Sequence, residues 1–266
     1  MKKYLTVFSL SFQNEFTYRL NFILWRFRNV LRILMTFFLW QVVFSTRSTA
    51  FGYSHSHMFS YILLVFVVQT LVMAAPSNDN IGGEIGNGDL SNYLVKPISY
   101  LKYWLTRDLA SKLLNALFAV VEIGLLWLVF RPQLYISSDI FFVVSGLVAW
   151  VMAIILYFFI AKIAVFSAFW IPENTWGLMF IILVCMETLA GGIFPLDVLP
   201  TWVQSILQFT PFPYMVYYPI GMLIGKFSTP EIFAILLKST IWLALSYWAV
   251  IRIWHKGLHE YSAVGR

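Results

Sequence analysis

Charged residues are scarce in this 266-residue chain, at 11% of the sequence, whereas soluble domains carry about 25%. Hydrophobic residues make up 60% and aromatic residues 19%, which excludes a soluble globular protein. The hydrophobic residues lie in long unbroken runs. Such runs indicate spanning helices, because the strands of a membrane barrel would show an alternation over about ten residues. We therefore expect an all-α polytopic membrane protein with no room for a soluble catalytic domain.

Motifs for common chemistry are also missing. The lone cysteine, Cys185, excludes an internal disulfide, and its apolar surroundings indicate an inert thiol. The string most like a nucleotide-binding loop, residues 221–227, is one residue too short and has Phe227 where Ser or Thr would reach magnesium. No Gly-x-Ser-x-Gly nucleophile motif occurs, and the four histidines lie outside the predicted spans. We predict no catalytic residue, no metal site and no cofactor in this chain.

Six segments are apolar enough to span a bilayer, which takes about 20 residues each. They are residues 29–46, 58–75, 113–130, 140–161, 175–194 and 232–251. With both termini in the cytoplasm, four of the 18 basic residues lie outside, namely Arg47, Arg131, Lys226 and Lys238, and the other fourteen lie inside. The positive-inside rule therefore predicts that both termini are cytoplasmic, and it explains the formal charge of +6 without nucleic-acid binding.

The first 25 residues form a different kind of segment. Leu5, Phe8, Phe12 and Phe16 recur at helical spacing, opposite a polar stripe. The pattern predicts an amphipathic helix over residues 1–25 that lies in the plane of the membrane surface. A generic interfacial anchor is enough to explain this helix.

The longest polar stretch, residues 76–102, follows the second predicted span on the cytoplasmic side. Its later part is predicted to form a short helix capped by Asp89 or Ser91. This helix would present on one side Leu90, Tyr93 and Leu94. Apolar side chains among charges favour docking to a partner, and the alternative is a solvated connector.

Two acidic residues lie inside predicted spans, Glu122 in the third and Glu187 in the fifth. A carboxylate at the bilayer centre costs a few kcal/mol unless it is paired, protonated or in contact with water, so such residues are functional candidates. The structural alternative is a protonated glutamate that is hydrogen-bonded to a neighbouring helix. If both acids face one pathway, they would favour cationic amphiphilic substrates.

The segment between the fifth and sixth spans, residues 194–230, is hydrophobic but cannot be one straight helix. Five of the ten prolines fall between Gly191 and Gly225: Pro195, Pro200, Pro211, Pro213 and Pro219. Each removes a backbone donor, and backbone groups freed in this way cannot face lipid. We predict a broken outer hairpin with short helices at residues 198–209 and 217–224 that acts as a gate or lid.

The order of these features resembles an ABC-2 type permease, the membrane subunit of an ATP-driven exporter. The resemblance covers the whole chain. In the polar loop, residues 81–97 are similar to the family's Gly-rich stretch with a Leu-x-Arg-Pro-like end, with Lys96 where Arg is more usual. In the hairpin, the string Phe194-Pro-Leu-Asp197, with Leu199-Pro200 and Trp202, resembles a branch of uncharacterised permeases within that family.

The resemblance implies roles for several residues. The family's coupling helix, which docks on an ATPase, would lie within residues 81–94, and its predicted contact residues are Ile81, Glu84, Asp89, Tyr93 and Leu94. The outer hairpin would close the pathway, with a gate formed by Pro195, Asp197, Pro200 and Trp202. Glu122 and Glu187 are the candidates for the substrate pathway. ATP and magnesium would be bound by a separate ABC ATPase subunit, and a second permease, either a related chain or a second copy, would complete the assembly in the lipid membrane.

The expected function is export of a substrate, such as a hydrophobic cation or drug, across the cytoplasmic membrane of a prokaryote by alternating access. The alternative is a proton-coupled secondary transporter or channel that uses Glu122 or Glu187, and it differs in needing no ATP. An intramembrane enzyme would need a nucleophile and a base at one depth, and the sequence offers no convincing pair. A purely structural protein would need neither the broken hairpin nor the buried acids.

Overall fold

The computed structural model describes residues 2–15, 19–75 and 77–262, most of which are helical. The helices are α1 (Lys2–Glu15), α2 (Arg19–Ser45), α3 (His55–Met73), α4 (Ser77–Gly86), α5 (Ser91–Leu94), α6 (Tyr100–Phe130), α7 (Ile140–Val165), α8 (Thr175–Thr188), α9 (Thr201–Leu207), α10 (Tyr217–Leu223) and α11 (Thr229–Glu260). An antiparallel pair of two-residue strands, β1 (Thr49–Ala50) and β2 (Tyr53–Ser54), joins α2 to α3. Short 3-10 turns lie at Phe166–Phe169, Pro172–Asn174, Leu196–Val198 and Phe212–Met215.

Among the residues that the structure describes, five helical segments are long and apolar enough to cross a membrane. They are Arg26–Ser45, His55–Met73, Tyr100–Phe130, Ile140–Phe169 and Thr229–Glu260. The predicted all-α polytopic membrane fold is therefore confirmed.

The predicted fifth span, residues 175–194, is shorter than expected. Helix α8 has 14 residues and ends at Thr188, so it extends about 21 Å against a hydrocarbon layer of about 30 Å. The chain turns there because Leu189 and Ala190 both donate to the carbonyl of Cys185 and Gly191 follows with a left-handed φ of 88°. The count of six spans stays a prediction.

The N-terminal segment is also divided differently from the predicted helix over residues 1–25. Helix α1 ends at Glu15, and residues 19–25 already belong to α2; Met1 and residues 16–18 lie outside the described residues. Helix α1 packs along the start of α6, where the Ser99 amide donates to the Tyr4 hydroxyl at 3.2 Å. The interfacial position of α1 stays a prediction.

The connections between the long helices gather at two ends of the molecule. We call one the loop end; it contains α4, α5, the start of α6, residues 166–174 and the end of α11. We call the other the hairpin end; it contains β1–β2 and residues 131–139 and 189–228. Backbone hydrogen bonds hold the hairpin end together, for example from the Ser137 amide to the Leu223 carbonyl at 2.9 Å. The 26 residues of α7 separate the two ends by about 39 Å.

Helix α7 lies at the centre and contacts α3, α8, α10 and α11. Its buried face carries small residues, including Ala149, Ala153 and Ala161, which let the neighbouring backbones come close. This packing makes α7 the common wall between the long helices and the broken hairpin.

The broken hairpin contains two short helices, each preceded by a 3-10 turn. The predicted helix over residues 198–209 is α9 (Thr201–Leu207), which begins after Pro200 because this residue has no N–H to continue a preceding helix. The predicted helix over residues 217–224 is confirmed as α10. Helix α11 then begins with a capping box, in which Ser228 and Glu231 satisfy each other's backbone amides.

Candidate functional site

The carboxylate of Glu84, on α4, is the central acceptor of the loop end. The Tyr93 hydroxyl donates to it at 2.9 Å, the Tyr100 hydroxyl at 2.5 Å and the Trp104 indole N–H at 3.2 Å. Burial, followed by the nearby Glu84 carboxylate, raises the pKa of Tyr93 well above its usual range, so this phenol stays a donor at physiological pH. Glu84 thereby ties α4, α5 and α6 into one unit.

The structure buries part of the predicted ATPase contact. Ile81 and Leu90 are fully buried in an apolar cluster with Val165 and Phe166. The prediction that Leu90 shares an exposed side with Tyr93 and Leu94 is therefore wrong, because Leu90 is buried within this cluster. Ile81 is likewise inaccessible to a partner in this conformation.

The predicted cap of the short loop helix is also wrong. Helix α5 begins after Leu90, and neither Asp89 nor Ser91 caps it; the Ser91 hydroxyl instead donates to the Gly88 carbonyl at 2.8 Å. The exposed side chains of residues 89–96 are Asp89, Asn92, Leu94 (48%), Val95 (85%) and Lys96.

Helix α4 and the loop after it are fastened to two other segments. A Cβ added at Gly82 would lie 2.8 Å from the Thr175 hydroxyl, so glycine allows α4 to contact the first residue of α8 closely. The Tyr261 hydroxyl, just after α11, donates to the Gly88 carbonyl and accepts from the Ser91 amide at 3.1 Å. A displacement of α4 would therefore strain its contacts with the start of α8 and with the segment after α11.

A buried charged network fixes the elbow between α3 and α4. The Asp108 carboxylate accepts from the Ser77 amide at 3.0 Å and from its hydroxyl at 2.5 Å. Lys162 lies 3.7 Å from Asp108 and donates to the Ser77 hydroxyl and, at 2.9 Å, to Asn78. Both charged side chains are fully buried, which is tolerated only because each is paired and hydrogen-bonded.

Lys112, on α6, caps the C-terminal end of α3. Its ammonium donates to the carbonyls of Leu71, Val72 and Ala74 at 2.7 to 2.8 Å, and these are among the groups that the end of α3 leaves without helical partners. The elbow is thus held from both sides. Lys112, on α6, binds the end of α3, and Asp108 and Lys162, on α6 and α7, bind the start of α4.

Both intramembrane acids are paired with arginines of α2. Arg26 donates to both oxygens of Glu122, through its Nε at 2.7 Å, and Arg32 forms an ion pair with Glu187. The structure therefore holds each acid in a charged pair, which differs from a protonated glutamate bound to a neighbouring helix. Their place in a substrate pathway stays a prediction.

At the hairpin end, Asp197 collects three donors. Its carboxylate accepts from the Tyr53 hydroxyl at 2.8 Å, the Tyr217 hydroxyl at 2.9 Å and the Lys226 ammonium. Burial lowers the pKa of Lys226, and the Asp197 carboxylate opposes that shift. Mainly burial raises the pKa values of Tyr53 and Tyr217, so both stay protonated donors. We call these four residues the Asp197 latch.

The other predicted gate residues lie in different surroundings. Pro195 is buried, Pro200 is exposed and Trp202 is 67% exposed. Trp202 and Ile206 form an exposed apolar face of α9, and the exposed side chain of Phe209 follows just after the helix. Of the predicted gate, only Asp197 has a polar network of its own among the residues that the structure describes.

Sequence reasoning missed several of the residues that build these networks. At the loop end they are Tyr100, Trp104, Asp108, Lys112, Lys162 and Tyr261. A usable signal was present, since a charged residue that adjoins a long apolar run needs a partner or water. Within the described ranges, no three His, Cys, Asp or Glu side chains come together as a candidate metal site.

Apolar spanning helices, a packed polar loop at one end and a broken hairpin at the other define a polytopic membrane transport component. A family model described as ABC-2 family transporter protein matches residues 30–265, and the chain belongs to this family. Permeases of the family generally have no ATPase site of their own and normally work with an ABC ATPase. A search of curated proteins found no match to this chain.

Proposed function

We propose that this chain is the permease subunit of an ABC exporter, and that a separate ATPase docks at the loop end and drives opening at the hairpin end. The observation that carries the proposal is the construction of the loop end as one unit around Glu84, which leaves a small exposed patch for a partner. In the proposed orientation both termini and the loop end face the cytoplasm of a prokaryote.

The proposed docking patch consists of Asp89, Leu94, Val95 and Lys96. Leu94 and Val95 are exposed apolar side chains, and the charged Asp89 and Lys96 flank them. An apolar centre with a charged rim suits a protein groove. Tyr93 is a poorer candidate for contact, because its hydroxyl is already bound to Glu84.

Movement of the patch would be transmitted by packing. The contact of Gly82 with Thr175 links α4 to the start of α8, and α8 leads directly into residues 189–193 of the hairpin end. ATP and magnesium would act on the partner, which would draw the loop ends of two permeases together and alternate access to the pathway. The second permease is a second copy of this chain or a related chain.

The pairing of the acids bears on the substrate and on the alternative function. Each glutamate is neutralised by an arginine of α2, which removes the argument that they attract a cation or relay a proton. We therefore favour ATP-driven export over a proton-coupled transporter. Export that collapses with the proton gradient and survives without an ATPase would reverse this choice.

The proposal is tested by co-purification of the tagged permease in mild detergent, with the bound chains counted by mass spectrometry. Wild-type protein is expected to recover a P-loop ATPase in stoichiometric amount, and the Leu94→Asp/Val95→Asp variant is expected to lose it. A matched control, Leu134→Asp/Ile136→Asp, changes exposed apolar residues at the hairpin end and should keep the ATPase. Recovery of wild-type permease alone, in detergent and in lipid particles, would contradict the proposal.

A further inference from the structure

A half-open recess lies between α2, α3 and residues 192–193. It contains about 310 Å³ of empty space, including the part that is open to the outside. Its lining includes the polar or small residues Arg32, Thr36, Gln69 and Gly192 and the apolar residues Ile62 and Phe66. An apolar recess with a few converging polar groups is the usual form of a small-molecule site.

The feature that points to a ligand is Gln69. Its side chain is 1% exposed, yet neither its amide nitrogen nor its amide oxygen has a hydrogen-bond partner among the described residues. Buried polar side chains nearly always have partners, because an unpaired amide has lost its water without replacement. The recess adjoins this side chain, so an occupant that uncovers the amide would gain one donor and one acceptor.

The neighbouring hydroxyls donate their protons elsewhere and do not pair with Gln69. The Thr36 hydroxyl donates to the Arg32 carbonyl at 3.0 Å, and the Tyr61 hydroxyl donates to the Gly191 carbonyl at 2.7 Å. A Cβ at position 192 would lie 2.0 Å from the Gln69 nitrogen, so only glycine allows the amide to sit against this segment. The structure thus holds the amide in place while leaving its hydrogen-bonding capacity unused.

The charge balance beside the recess limits the ligand further. Arg32 is paired with Glu187, so the charges of the two side chains cancel. A ligand with a full net charge would meet no uncompensated opposite charge from this pair. A neutral or zwitterionic head with both donors and acceptors fits the amide, and the apolar walls fit a hydrocarbon tail.

The position of the recess connects it with the hairpin. Gln69 lies 14 residues after His55, about 21 Å along α3 from the first residue of that helix, and residues 192–193 of the hairpin end reach this depth. Gly192 and Ile193 form part of the lining and lead directly into the Asp197 latch. Occupation of the recess would therefore contact the first residues of the broken hairpin.

We propose that the Gln69 recess binds the polar head of an uncharged or zwitterionic amphiphile that carries both a hydrogen-bond donor and an acceptor, for which a carboxamide is the simplest example. The inference rests on the proposed function in one respect, since an exported amphiphile is one source of such a head. A lipid of the surrounding membrane is the other source and has the same chemistry.

Binding of three probes with one tail length tests the proposal: oleamide, oleylamine and oleate. The full-length permease is placed in lipid nanodiscs without an ATPase, and affinities are measured by probe-dependent thermal shift over a concentration series. Wild type should bind oleamide at least about tenfold more tightly than the amine or the carboxylate, because only the amide pairs with Gln69 without an uncompensated charge.

The Gln69→Leu variant should weaken oleamide binding at least about tenfold while the unliganded protein unfolds at the same or a higher temperature, since an unpaired amide is replaced by an apolar group. The matched control is Gln41→Leu, which makes the same change at an exposed glutamine of α2 and should bind oleamide like wild type. Equal oleamide affinity in wild type and Gln69→Leu would overturn the proposal. So would a high-resolution map with only ordered water on Gln69 in oleamide-saturated protein.

Two further measurements distinguish the source of the ligand. A membrane lipid that co-purifies with wild type and is missing from Gln69→Leu would identify a lipid occupant, whereas ATP-dependent release of oleamide in the complete transporter would identify a transported one. Because oleamide binding needs no ATPase, its failure would leave the docking proposal untouched. If the permease binds oleamide but recovers no ATPase, the proposed ATP-driven export would be rejected and the proposed ligand site at Gln69 would stand.

Discussion

The two ends of this permease are each organised around a single carboxylate, and they differ in what surrounds it. At the loop end Glu84 accepts from Tyr93, Tyr100 and Trp104, all of them neutral donors, and an apolar cluster adjoins this network. At the hairpin end Asp197 accepts from two tyrosines and an ammonium, and both charged side chains are about a quarter exposed.

This difference indicates which end moves as a rigid body and which end opens. Hydrogen bonds from buried donors such as Tyr100 and Trp104 are costly to break one at a time, because each leaves an unpaired donor behind. A partly exposed ion pair contributes little net stability, since water can replace either partner. The loop end is therefore suited to transmit force, and the Lys226–Asp197 pair is the contact of the latch that separates at the lowest cost.

The largest expected effect comes from the elbow that carries the loop end. Lys162→Met leaves the buried Asp108 without its charged partner and should destabilise the protein by about 3–5 kcal/mol. Unfolding in detergent, followed by circular dichroism, measures the change. The control is Lys226→Met at the partly exposed latch, which should lower the free energy of unfolding much less. Equal losses in the two variants would contradict the difference between the two ends.

A smaller loss is expected when the acceptor of the loop end is removed. Glu84→Ala leaves the Tyr100 hydroxyl and the Trp104 N–H without a partner and should cost about 2–3 kcal/mol. Hydrogen exchange of residues 77–97 should rise together with a loss of ATPase recovery. Glu84→Gln keeps one acceptor oxygen and should show a clearly smaller change; an identical change in both variants would contradict the role of the shared acceptor.

At the hairpin end a modest change in stability should accompany a clear change in opening. Asp197→Asn weakens the pair with Lys226 and should cost about 1 kcal/mol or less. Hydrogen exchange should increase across residues 194–228 and stay unchanged at residues 77–97. Faster exchange at both ends would show that the latch is part of the overall fold and does not act as a separate element.

The smallest effect is expected at the exposed face of α9. Trp202→Ala removes a side chain that is 67% exposed and should change the free energy of unfolding by no more than about 0.5 kcal/mol. If this variant also loses recovery of a second permease, α9 contributes to the contact between permeases. A large loss of stability in the isolated subunit would contradict the exposed position of Trp202.

Local patterns predicted much of the fold. Long apolar runs predicted helices because backbone groups in lipid must bond within their own segment, and the prolines of residues 194–230 predicted a broken segment because proline has no N–H. The pairing of Glu122 with Arg26, 96 residues away, could not be predicted, since helical periodicity does not say which helices become neighbours. The burial of Ile81 has the same cause, because Val165 and Phe166 cover it from a distant part of the chain.

The most direct test of the account follows the hairpin end while nucleotide is bound at the other end. Hydrogen exchange is measured on the permease–ATPase complex in lipid nanodiscs, with and without ATP and vanadate. We predict that nucleotide changes hydrogen exchange across residues 194–228 in wild type. Gly82→Val crowds Thr175 at the junction of α4 and α8 and should weaken this response even when the ATPase stays bound. Exchange at residues 194–228 that is the same with and without nucleotide in the wild-type complex would contradict the proposed transmission from the loop end to the hairpin end.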